Sequence, residues 1–363
     1  MVALFFVKGV RIVDKLERRS FINRAAALGG VAAAAGSGLS LFGGEQALAA
    51  HMGKSLGSLR FITIVKTVNS DYWTIVLQAA KKAASNMGVQ GLRFTGADAE
   101  SNIAGQVSLL ENAIAQKPDF IVFAPTDKTA LDTTIAKAYS AGIKVILIDS
   151  AAATNKYQSF LSTDNHAGGI ACADALASAI GRKTGSPKGQ VAYATFQSNV
   201  GSLGQRDQGF LDGLKKYPGL QLVAHKDAGG DQSTKPVSIA ADTITAHPNL
   251  VGYFADNLYT LTGAVTAFKE KGVNTSKVSL VGFDSNQTLV NDLKAGTVDG
   301  LLLQDPYMMG YGGVLYGILA AAGVKTPTFL DTGATVATKA NMNSAFIEGL
   351  LLPLGKPGRN LGF

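Results

Sequence analysis

Asp149, Asn257, Asp284 and Gln304 each stand just beyond a short apolar run, and Arg206 stands one helix start beyond another. Tyr72 and Trp73 follow the first such run. In an open parallel sheet, ligands bind beyond the carboxyl ends of the strands, so these side chains would converge on one cleft. Their chemistry suits a polyhydroxylated ligand. A hydroxyl donates and accepts at once, carboxylates accept, Arg donates, and Asn or Gln does both. Hydrogen bonds to charged partners contribute roughly 1.5–3 kcal/mol each. The C–H face of a pyranose is apolar and would lie on a flat ring at position 72 or 73. Neighbours on a helix point about 100° apart, so one of those two rings is expected in the core. Asn69, Ser70, Ser150 and Gln197 are weaker candidates by the same positional argument. Ser70, Asp127, Ser198 and Ser285 read better as helix caps, and Asp164 with Asn165 as a cap and hinge element.

The elements that must position these residues alternate in kind. Apolar runs at 61–65, 120–123, 145–148, 191–194, 252–255, 279–282 and 300–303 read as buried strands. Helical spacing falls at 72–87, 101–116, 128–141, 166–182, 202–216, 233–246, 259–271, 287–295 and 307–322. Such β-α order means parallel sheets covered by helices on both faces. The expected fold class is α/β, with two doubly wound parallel-sheet lobes. An eight-unit barrel fits this count poorly. Beyond Thr338 the alternation is lost, and the segment 346–363 is expected to be a tail.

The first 49 residues read as an export leader: Arg18-Arg19, an Ala- and Gly-rich run from Ala25 to Phe42, and Ala47-Leu48-Ala49 as a cleavage site. The paired arginine resembles the signal of the bacterial Tat pathway. Cleavage near Ala49 would leave the mature protein in the periplasm. Six basic and three acidic residues would leave with the leader, lowering the formal charge from +7 to +4. No run of five like charges exists, so no nucleic-acid footprint is expected. The single cysteine, Cys172, is expected to be a buried, inert thiol. The four histidines are scattered, so neither a metal site nor a cofactor is expected.

Several motifs together resemble the type I periplasmic sugar-binding proteins of bacterial ABC transporters, especially the ribose-binding group. They are NSDYW at 69–73, FAPTD at 123–127, LID at 147–149, STDNHAGG at 162–169, QRDQGF at 205–210, TAHPNLVGYFADN at 245–257, LVGFD at 280–284 and LLQDP at 302–306. The resemblance implies ligand contacts at Tyr72 or Trp73, Asp149, Arg206, Asn257, Asp284 and Gln304. It also implies three crossings between lobes, with a first lobe of 59–162 plus 305–331 and a second of 163–304 plus 332–345. The chain departs from the ribose pattern at Ser150, where an arginine is usual, at Ala124 in place of asparagine, and at Gly229-Gly230, where an aromatic is expected. These departures leave another pentose or hexose, a cyclic polyol or a larger glycoside open as ligand. The implied function is a monomeric receptor with no chemical step, whose lobes close on a sugar or polyol and present it to an ABC permease with its ATPase. A chemoreceptor or sensor kinase is the alternative reader of the closed form. A glycosidase using Asp149 and Asp284 is the less favoured third reading.

Overall fold

Phe61 to Val65 shows how the sheet is built. Phe61 and Val65 pack into one apolar cluster and Ile62 and Ile64 into another, because successive strand residues face opposite sides. Both faces are therefore covered, as in a parallel sheet sandwiched between helices. The computed structural model describes residues 55–354. After a short 3-10 turn at Leu56–Ser58 come β1 (Arg60–Thr67), α1 (Asp71–Met87), β2 (Gln90–Ala97), α2 (Ile103–Ala115), β3 (Phe120–Phe123), α3 (Asp132–Ser140), β4 (Lys144–Ile148) and β5 (Ser159–Ser162). There follow α4 (Asn165–Thr184), β6 (Gly189–Thr195), α5 (Gly201–Leu214), β7 (Leu220–Asp227), α6 (Lys235–Ala246), β8 (Leu250–Ala255), α7 (Leu258–Glu270), β9 (Ser279–Phe283), α8 (Gln287–Ala295) and β10 (Gly300–Gln304). The chain ends with α9 (Pro306–Ala321), β11 (Phe329–Asp331), β12 (Ala334–Ala337) and α10 (Ala345–Leu351).

The strands form two six-stranded sheets of matching order, β11-β5-β4-β3-β1-β2 and β12-β10-β9-β8-β6-β7. Each β-strand of the first sheet thus has a counterpart in the second, a repeat invisible in the residues themselves. All pairings are parallel except β10 with β12, which is antiparallel. The chain changes sheet between β5 and β6, between β10 and β11, and between β11 and β12. Helix α9 packs on α1 and on β3, β4 and β5 of the first sheet.

All nine helices expected from spacing form, with ends shifted by a few residues. Strands β2, β5, β7, β11 and β12 are additional to the seven expected runs. The region taken as a tail from residue 346 is in part ordered: α10 buries Ile347 and Leu351 against the second sheet's core. Residues 355–363, the leader and its cleavage site lie outside the described residues. Cys172 is buried in α4, and burial pushes its thiol pKa up.

Candidate ligand-binding cleft

The strand ends of the two sheets meet at one cleft. From the first sheet's side it is bordered by Lys66, Ser70, Tyr72, Trp73, Glu100 and Asp149. From the second come Ser202, Leu203, Arg206, Asn257, Leu258, Tyr259 and Asp284, with Gln304 at the end of β10, where the chain recrosses. Asp149 follows β4 and Asp284 follows β9, which occupy matching places in the two sheets. Each has a left-handed backbone, with φ of 63° and 72°, a region where non-glycine residues are uncommon. Each also donates its backbone N–H to the neighbouring strand, to Leu161 O and Leu302 O, both at 2.9 Å. That pairing holds the turn and swings both carboxylates toward the cleft.

Asp149 is tied down by three donors. Tyr72 Oη donates to Oδ1 at 3.0 Å, while Lys66 Nζ and Ser150 Oγ donate to Oδ2, each at 2.8 Å. Burial would raise the Asp149 pKa, but Lys66 and Arg206 hold it below the usual carboxylate range. Asp284 accepts from Gln304 Nε2 at 2.7 Å and from the Leu258 N–H at 3.1 Å. Its donors are neutral, and burial raises its pKa against the pull of Arg206. Arg206, only 2% exposed, donates from Nε to Asn165 Oδ1 at 2.8 Å and from Nη1 to the Asp256 carbonyl at 2.9 Å. Its guanidinium lies 4.1 Å from the Phe283 ring centroid. Two of its five N–H groups are thereby spoken for. Asn257 caps α7 with its side-chain oxygen, which leaves its amide donors for the cleft.

Tyr72 and Trp73 both border the cleft and both belong to the first-sheet core, so the expected division between stacking ring and core ring does not hold. Both rings belong to the first turn of α1, and they meet edge to face, 4.9 Å apart at 81°. Trp73 Nε1 donates to Glu100 at 2.7 Å. Ser70 also borders the cleft, at the N-cap of α1 but with no side-chain cap bond. Asn69, Ser150 and Gln197 do not border it. Asn69 donates to the Asp98 carbonyl, Ser150 is fully buried behind Asp149, and Gln197 lies against Gly230. Ser198 and Ser285 are not caps. The former bonds Asp227, the latter bonds the Leu351 carbonyl, and Asn286 caps α8 instead. Asp127 accepts the N–H groups of Thr129 and Ala130 ahead of α3, and Asp164 caps α4 as expected. Asn165 holds Arg206.

Beneath Arg206 lies a second acidic pair. Burial pushes the Asp207 pKa up to about 6, helped by Asp227 and opposed by the Thr195 hydrogen bond and by Arg206. Fully buried Asp256 is raised too, by burial and by Asp207. The folded state therefore holds the Asp207 proton to higher pH than the unfolded chain, whose carboxylates titrate near about 3.9. The contribution of this group to stability is lost as pH rises from there to about 6 and is constant above it. Asp207→Asn removes that loss. It is expected to stabilise the protein on the order of 2 kcal/mol at pH 7.5, with a gain that shrinks toward pH 4. Urea unfolding at the two pH values measures this.

Residues 61–324 match the model of a family described as periplasmic binding protein domain. The chain belongs to this family. Among known proteins it is similar to the ribose import binding protein of Bacillus subtilis (strain 168), at 24% identity over 74% of this chain and 85% of that one. Among solved structures it is similar to a carbohydrate transporter solute binding protein from Agrobacterium radiobacter in complex with D-arabinose, at 44% identity and a TM-score of 0.79, covering 82% of this chain and all of that one. It is also similar to an ABC transporter solute binding protein from Agrobacterium vitis with bound D-fucose, at 34% identity and a TM-score of 0.75, covering 80% and 99%. The fold is thus that of the type I periplasmic binding proteins, and the family is one of binding proteins, not enzymes.

Proposed function

We propose that this chain is the periplasmic receptor of an ABC importer that captures a monosaccharide or related polyol between two closing lobes and delivers it to a membrane permease. The observation that carries the reading is the pairing of Asp149 and Asp284 at matching strand ends, with Arg206 and Asn257 beside them and Tyr72 and Trp73 as ring surfaces. Neutral hydroxyls need acceptors and donors on all sides, and such a cleft supplies both without net attraction for a charged group. The lobes are residues 59–162 with 305–331, and 163–304 with 332–345. The three crossings between sheets are the hinge, and closure is driven by contacts that exist only when both lobes hold the ligand. Export by a twin-arginine leader cleaved near Ala49 brings the mature chain to the periplasm.

The opposed pKa shifts of Asp149 and Asp284 would also suit a glycoside-cleaving pair. Both carboxylates, however, are held by several donors, and the family speaks for binding alone.

D-Arabinose, D-fucose, D-ribose, D-allose and xylitol form the first test panel. One of these, or a close pentose or hexose, is expected to bind in calorimetry and raise the unfolding midpoint. At a hundred times its dissociation constant it adds about 2.7 kcal/mol. Silence across pentoses, hexoses and polyols overturns the reading.

A further inference from the structure

Lys66 sits inside the apolar β1 strand and is only 3% exposed, yet it borders the cleft. Its ammonium has three N–H groups. One goes to Asp149 Oδ2 at 2.8 Å and one to Ser150 Oγ at 2.7 Å. Among the described residues, no further acceptor takes the third. Its charge lies 5.5 Å from the Trp73 ring centroid, so it stands at the wall where a sugar ring would lie.

Asp149 is almost saturated as well. A carboxylate offers about four lone-pair positions. Tyr72, Lys66 and Ser150 fill three. What remains on this pair is one donor, on Lys66, and one acceptor, on Asp149, and the two groups touch each other. That is the complement of a single hydroxyl. The Asp284 and Arg206 pair opposite has more capacity: Asp284 keeps two positions beyond Gln304 and Leu258 N–H, and Arg206 keeps three N–H groups. We infer that Lys66 and Asp149 together read one ligand hydroxyl, the ammonium donating to its oxygen and the carboxylate accepting its proton, while Asp284 and Arg206 hold a neighbouring pair of hydroxyls.

The inference rests on the sugar-receptor reading and makes Lys66 a selectivity residue. Behind it, Ser150 Oγ lies 2.8 Å from Ser202 Oγ on α5. The Ser150 proton points to Asp149, so the Ser202 hydroxyl donates across the cleft to Ser150. This link joins the two walls whatever the ligand, so losing it should weaken all ligands alike.

The test is calorimetry on the mature protein with D-arabinose or D-fucose, whichever binds tighter, and its monodeoxy analogues. In the wild type each deoxy analogue that loses a contact should bind at least tenfold more weakly than the parent. In Lys66→Met the parent should weaken at least tenfold. One deoxy analogue should then bind as well as the parent, while the others keep their wild-type penalties. Ser202→Ala should lower every affinity by one common factor and leave the ratios unchanged. Identical deoxy penalties in Lys66→Met and wild type, or an unchanged parent affinity, overturn the inference. If Lys66→Met does not fold, Lys66→Met combined with Asp149→Asn, which leaves no buried charge unpaired, is read by the same ratios. A wild type that binds none of these sugars overturns the receptor reading instead.

Discussion

Arg206→Ala weakens sugar binding at least a hundredfold while the circular dichroism spectrum stays native. The guanidinium is nearly inaccessible, and its positive charge acts on both Asp149 and Asp284. Hydrogen bonds to charged groups contribute roughly 1.5–3 kcal/mol each, and a lost partner leaves its acceptor unsatisfied. Two ligand bonds lost at about 1.4 kcal/mol per tenfold therefore exceed two orders of magnitude. Asn165 Oδ1 and the Asp256 carbonyl would lose their donor as well. Arg206→Lys should not restore binding, because a single ammonium cannot span the positions that a planar fork reaches. Calorimetry against the best sugar of the panel decides it. Affinity within threefold of wild type would remove Arg206 from the site.

Gly169→Ala is expected to destabilise the fold on the order of 3 kcal/mol and to lower affinity as well. A Cβ at Gly169 in α4 would stand 2.1 Å from the backbone carbonyl of Arg206 in α5. Reciprocally, one at Gly209 in α5 would stand 2.0 Å from the His166 carbonyl in α4. The two helices meet backbone to backbone, and no rotamer change can make room. Helix α5 would have to move, and Arg206 rides on it. Gly181→Ala is the control: it lies in the same helix, where the nearest atoms to a new Cβ are in Pro187 at 3.8 Å. There alanine should be neutral or stabilising by about 0.5–1 kcal/mol. Urea unfolding compares them, and equal midpoints for Gly169→Ala and Gly181→Ala would refute the close-packing argument.

Central strands and helices were legible because their signals are local. Buried parallel strands read as continuous apolar runs, as Phe120 to Phe123 and Val145 to Ile148 do, and nine helices kept their spacing. The edge strands were not legible. β2 reads Gln-Gly-Leu-Arg-Phe-Thr-Gly-Ala and β7 ends in Ala-His-Lys-Asp, since an edge faces water on one side and needs no apolar run. Missing β2 also hid Glu100, which borders the cleft beyond that strand's end. Lys66 escaped for a different reason. It lies within a strand and not after one, and a lysine is acceptable there only because Asp149 and Ser150 come to it from just beyond β4. Asp149 and Asp284, by contrast, lie at the strand ends where a parallel sheet directs its chemistry.

The left-handed turns at Asp149 and Asp284 bear on how such a receptor can change its diet. A residue with positive φ is inexpensive only as glycine, asparagine or aspartate, and costs roughly 1–2 kcal/mol as most others. At both positions, therefore, a single mutation can remove the carboxylate's charge or its whole side chain, but it cannot install a longer reader of the sugar without strain. Descendants with new tastes would have to keep this pair as a fixed grip. They would vary the unstrained positions that border the same cleft, such as Lys66 or Tyr259, so the innovation of the lineage should concentrate beside its most conspicuous chemistry and not on it.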